Sequence, residues 1–92
     1  MSTVRIPPVL RAVAGNQKQV AVAGETVAAV IEALVAGYPG LRDQLLTPEG
    51  ELNRFVNVYL NDEDIRYLGE LATPVDERDT IVILPAMAGG GA

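Results

Sequence analysis

Residues 24–37 read GETVAAVIEALVAG, and every other element of the chain has to be arranged around them. Val27, Val30, Ile31, Leu34 and Val35 recur at helical spacing and make one apolar stripe. Thr26 stands where an N-cap belongs, with a hydroxyl able to accept from a free backbone N–H of the first turn. Gly37 ends the pattern and Pro39 lies just beyond it, as at a helix C-terminus. The spacing predicts one helix with a single buried face.

On the N-terminal side, Val4 to Val9 reads as a strand. Pro7-Pro8 interrupts it, and a proline cannot donate to a sheet ladder, so this stretch is expected at an edge or with a break. Gly15-Asn16 is a turn signal, and Gln17 to Ala23 (QKQVAVA) is a second strand completing a hairpin. On the C-terminal side, Pro39 to Asn53 is loop, with one short helical turn around Leu41 to Leu46. Thr47-Pro48-Glu49-Gly50 is a turn. Phe55 to Leu60 (FVNVYL) alternates: Val56, Val58 and Leu60 share one face, and Phe55, Asn57 and Tyr59 the other. Asn61-Asp62 turns the chain, and Ile65-Arg66-Tyr67 is expected to open a short return strand. Asp76-Glu77-Arg78-Asp79 is a polar turn. Thr80 to Leu84 (TIVIL) is almost wholly apolar, which predicts a central strand covered on both faces.

The order is strand, strand, helix, strand, strand. A single helix covers only one face of a sheet, so the fold class is α+β. A hairpin, a crossover helix and a central last strand beside the first give a β-grasp, ubiquitin-like roll: a mixed sheet with one main helix on one face. The expected organisation is a domain over residues 1–86 and a flexible tail over residues 87–92 carrying a Gly-Gly motif.

Composition narrows the chemistry. The 92 residues contain neither cysteine nor histidine. A disulfide, a thiolate nucleophile, and the commonest general base and metal ligand are therefore excluded. The glycine cluster is terminal, so no internal loop cradles a phosphate. The chain is not expected to be an enzyme, and no metal or bound cofactor is expected. The net charge of -5 argues against nucleic acid and anionic membrane surfaces, where phosphate contacts dominate. No apolar run approaches membrane-spanning length and the N-terminus lacks a leader pattern, which makes the cytosol the expected location. Asn61-Asp62-Glu63-Asp64 lacks the glycine and distal glutamate of a calcium loop and reads as a solvated turn.

Three blocks, in order, carry a resemblance. They are GETVAAVIEAL from Gly24, FVNVYLNDEDIR from Phe55, and DTIVILPAMAGG from Asp79. Together they resemble the MoaD/ThiS family of bacterial ubiquitin-like sulfur carriers over nearly the whole chain. Their wording is shared with a carrier of a cysteine-biosynthesis route. The resemblance implies that a ubiquitin-activating-type adenylyltransferase uses ATP to adenylate a terminal glycine. Sulfur then displaces AMP, and the thiocarboxylate donates sulfur to a biosynthetic enzyme making cysteine, a thio-sugar or a cofactor. Aligned on Pro85, the family's terminal glycine falls on Gly90, with Gly89 completing the motif. Gly91-Ala92 is then a removable extension, which a metalloprotease partner would trim. If only Ala92 is removed, Gly91 takes the role instead.

The small side chains of Ala86, Ala88, Gly89 and Gly90 suit passage through a narrow adenylation channel. Ordering such a segment costs roughly 1–2 kcal/mol per residue. Contacts from the domain must offset that, and Leu84, Pro85 and Met87 are the expected docking residues. Phe55 is either a fourth or part of the core. Two other functions remain open on sequence: a modifier joined to lysines through the same tail, and an inert β-grasp interaction module.

Overall fold

The computed structural model describes residues 1–85. The expected docking residue Met87, the Gly89-Gly90 motif and the extension Gly91-Ala92 lie outside the described residues, as does the proposed tail over residues 87–92. Five strands form one sheet: β1 (Ser2–Arg5), β2 (Gln19–Val22), β3 (Val56–Leu60), β4 (Glu63–Asp64) and β5 (Thr80–Pro85). The main helix is α1 (Val27–Gly37), and a single turn, α2 (Arg42–Leu45), follows it. The sheet order is β2-β1-β5-β3-β4. β5 runs parallel to β1 and antiparallel to β3, which makes the sheet mixed and places the last strand at its centre. This is the β-grasp arrangement.

The helix forms as its sequence dictates. Thr26 Oγ1 accepts from the Ala29 N–H at 3.1 Å, closing the N-cap. Val27, Val30, Ile31, Leu34 and Val35 are all buried. They pack over Val4, Ile81, Ile83 and Val58, the helix-facing residues of the sheet, in a core of aliphatic side chains. Burial of each such side chain is worth roughly 1.5–3 kcal/mol, so these layers supply most of the drive to fold. The helix start is also tied across the chain. Val27 N–H donates to the Thr73 carbonyl at 3.0 Å and Val75 N–H to the Glu25 carbonyl at 2.9 Å.

Three expectations need correction. The first strand stops at Arg5, short of Val9. β1 is not an edge strand, so Pro7-Pro8 acts as a break, and the chain turns into a 3-10 helix over Pro8–Val13. The return strand is Glu63–Asp64, and Ile65–Tyr67 is a 3-10 turn. Asp64 causes this. Its carboxylate accepts from the Arg66 N–H at 2.9 Å and bends the chain out of the sheet. Third, β5 is central but covered on one face only. Ile81 and Ile83 are buried under the helix, while Leu84 on the other face is exposed.

Candidate functional site

The site is built where β5 leaves the sheet. The two ends of this strand are held differently. At Thr80 the backbone is bonded on both sides: Asn61 N–H donates to the Thr80 carbonyl at 2.9 Å, and Thr3 N–H to the Asp79 carbonyl at 3.1 Å. Side chains double these ties. Asn61 Oδ1 accepts from Thr80 N–H at 2.9 Å, and Asn61 Nδ2 donates to the Asp79 carboxylate at 2.8 Å. That carboxylate also accepts from the Asp76 N–H at 2.8 Å. The Asp76 N–H and then the Asn61 amide hold the Asp79 carboxyl below its ordinary value. Asn61 and Asp62 take φ of 49° and 74°, the left-handed pair that a two-residue hairpin between β3 and β4 requires.

At the other end, β1 pairs with β5 only as far as Arg5 opposite Val82. β3 continues alone beside β5, with Asn57 opposite Leu84 and Val56 opposite Pro85. Successive strand residues point to opposite faces, so Val82 and Leu84 share the open face with Asn57, Tyr59 and Arg5. Leu84 is 44% exposed and Phe55, just before β3, 53%. Phe55 lies in the turn that leads into β3, one residue before Val56. The core alternative for Phe55 is therefore incorrect. Single exposed apolar residues are ordinary, but Leu84 near the end of β5 and Phe55 just before the neighbouring β3 leave the same end of the sheet apolar.

Of the expected docking residues, the structure leaves Leu84 and Phe55 exposed and places Pro85 opposite Val56 at the strand's end. Val82 and Tyr59 were missed. They extend the same face, opposite one another, and the alternation of FVNVYL and TIVIL would have found them. Beyond Tyr59 the row reaches Asp64, whose carboxylate is gripped by Arg66, with Nη2 at 2.6 Å from Oδ2 and Nε at 3.2 Å from Oδ1. That bond holds the Asp64 carboxyl below its ordinary value. The turn read as solvated is exposed at Asn61, Asp62 and Glu63, and its Asp64 carboxylate is paired locally with Arg66. Among the described residues, no helix is long and apolar enough to cross a membrane.

Chemically, the arrangement offers no nucleophile or base. It offers a central strand bonded on both sides at Thr80 and on one side at Pro85, beside an exposed apolar face.

Comparison with known proteins agrees with this geometry. The ThiS family model matches residues 4–90. The sulfur carrier protein CysO of Mycobacterium tuberculosis is 50% identical over 90 residues, covering 96% of this chain and 97% of that protein. A chain of the crystal structure of the Amycolatopsis orientalis BexX/CysO complex superposes with a TM-score of 0.87 at 42% identity, covering 94% of this chain and 96% of that one. The small archaeal modifier protein 1 of Methanosarcina acetivorans superposes with a TM-score of 0.88 at 30% identity, covering 97% and 95%.

Proposed function

This chain belongs to the ThiS family and is a sulfur-carrier protein, a co-substrate of enzymes and not itself a catalyst, and we propose that the residue it charges is Gly90. The observation that carries the assignment is the family match. It ends on Gly90, five residues past the strand that the structure leaves exposed at Leu84. Whatever follows Gly90 then has to be cleaved first, the role we assign to a metalloprotease acting at Gly91.

The activating partner is a ubiquitin-activating-type adenylyltransferase docked on Leu84, Phe55, Val82 and Pro85, with Met87 following. A Gly90 carboxylate oxygen attacks the α-phosphorus of ATP, and pyrophosphate leaves. Sulfide sulfur then attacks the acyl carbon, AMP leaves, and the thiocarboxylate remains. ATP belongs to that partner; this chain binds no cofactor of its own. The 50% identity to CysO supports cysteine synthesis as the first acceptor pathway. The likeness to a chain of the BexX/CysO complex supports docking on a further protein partner as well. This chemistry is assigned to the cytosol.

The test is intact-protein mass spectrometry on chain recovered from its native host under sulfide supply. A species ending at Gly90 with one oxygen replaced by sulfur is expected. An end at Gly91 moves the charged residue by one. Conjugates to other proteins, with no thiocarboxylate, would favour the modifier reading suggested by the archaeal likeness.

A further inference from the structure

The break at Pro7 creates a second feature at the root of the same strand. The parallel ladder between β1 and β5 starts with Thr3 N–H on the Asp79 carbonyl and advances two residues at a time. Its next donors are residues 5 and 7, and residue 7 is proline. Among the described residues the Ile83 carbonyl is thereby left without a strand partner, facing the space that β1 vacates. That space is a groove of about 480 Å³.

The groove is basic in an acidic chain. The sequence holds 12 carboxylates against 7 cations. Yet Arg5, Arg11 and Lys18 all line this groove, with no carboxylate among its lining residues. Arg11 is also aimed. Its Nε donates to the Ile6 carbonyl at 3.1 Å, which fixes the guanidinium and leaves its outer N–H groups for another acceptor. None of the three makes an ion pair among the described residues. Leu84 forms one wall, so the groove is continuous with the apolar docking face.

We propose that this groove receives an extended acidic segment of the activating enzyme, its carboxylates meeting Arg5, Arg11 and Lys18 and a backbone N–H meeting the Ile83 carbonyl. The inference rests on the carrier reading above. Charge complementarity selects the occupant: an acidic chain repels acidic surfaces generally, so three uncompensated cations at one spot set orientation and rate of encounter.

The test is the affinity of the full chain for its adenylyltransferase, measured by calorimetry at low and high salt. Arg5→Glu, Arg11→Glu and Lys18→Glu, singly and together, are compared with Arg42→Glu on α2, which changes net charge as much as each single variant does. At low salt the triple groove variant is expected to bind about a hundredfold more weakly, and near 1 M salt, where screening is within ~3 Å, most of that loss should vanish. Arg42→Glu should bind as the parent does. Melting curves accompany each variant. Should Arg11→Glu unfold, Arg5→Glu and Lys18→Glu together still carry the test, since neither side chain makes a hydrogen bond among the described residues. Folded groove variants binding no differently from Arg42→Glu would overturn the groove and leave the carrier reading standing. Unmeasurable binding of the parent chain would overturn the docking reading together with it.

Discussion

The two ends of β5 are five residues apart and do opposite work. At Thr80 the strand is bonded to neighbours on both sides, and the side chains of Asn61 and Asp79 lock the same junction. At Pro85 one neighbour has gone, and the exposed side chains are Leu84 and Phe55. One strand thus anchors the fold at one end and is paired on a single side, with an exposed leucine, at the other. The difference teaches that apolar sequence alone does not say what a residue is for. Ile83 and Leu84 are adjacent and chemically alike, yet one is sealed under the helix and the other faces out.

The contrast can be broken at several points. The largest effect is expected from deleting Gly89 to Ala92. ATP-dependent activation should be lost entirely, while the unfolding midpoint in urea stays where it was; loss of cooperative unfolding would show that the tail supports the fold. Next is Ile81→Ala, on the buried face. It should lower stability by about 3 kcal/mol, the usual figure for truncating a buried aliphatic side chain, read by denaturant titration. Leu84→Asp should reverse that signature. Its stability should change by less than about 1 kcal/mol, since the site is open to water. Its affinity for the adenylyltransferase should fall by about 2 kcal/mol, or thirtyfold, as for a residue central to an interface. Equal affinity in a folded Leu84→Asp protein would remove the docking face from the scheme.

The smallest effect concerns the anchored end. The Asp79 carboxyl sits below its ordinary value, so the ionised form is favoured by folding. Its contribution is present above the unfolded pKa of about 3.9 and is lost as pH falls through and below that value. Asp79→Asn should therefore lower stability at pH 7, and that difference should shrink as pH falls through about 4, which flattens the acid side of the stability profile. An unchanged acid limb would mean that other carboxylates carry it.

Much of this was legible in the sequence. The helix declared itself through five aliphatic residues at one spacing, a threonine cap and a glycine stop, all local signals. The alternation in FVNVYL assigned Val56, Val58 and Leu60 to the core face. What escaped depends on partners distant in sequence. Ile65-Arg66-Tyr67 has the residue types of a strand, but the Asp64 carboxylate captures the next turn's N–H and outcompetes them. The segment 70–75 carried no pattern, because Glu70 adopts a left-handed φ of 52° and its turn is held by the Thr73 hydroxyl, bonded to the Glu70 carbonyl at 2.6 Å and the Gly69 N–H at 2.8 Å. Arg5, Arg11 and Lys18 look scattered along the chain. Only the break at Pro7 and the hairpin beyond it gather them at one groove.

The placement of β5 between β1 and β3 has a consequence in time. The strand that completes the middle of the sheet is made some seventy residues after the strand it runs parallel to. Until Pro85 has emerged during synthesis, β1 and β3 have nothing to share, and the helix has no floor on which to close its stripe. Such long-range pairing is slow relative to local helix formation. A half-made chain cannot display the exposed apolar face, because the strand that carries Leu84 is also the one that zips the sheet shut.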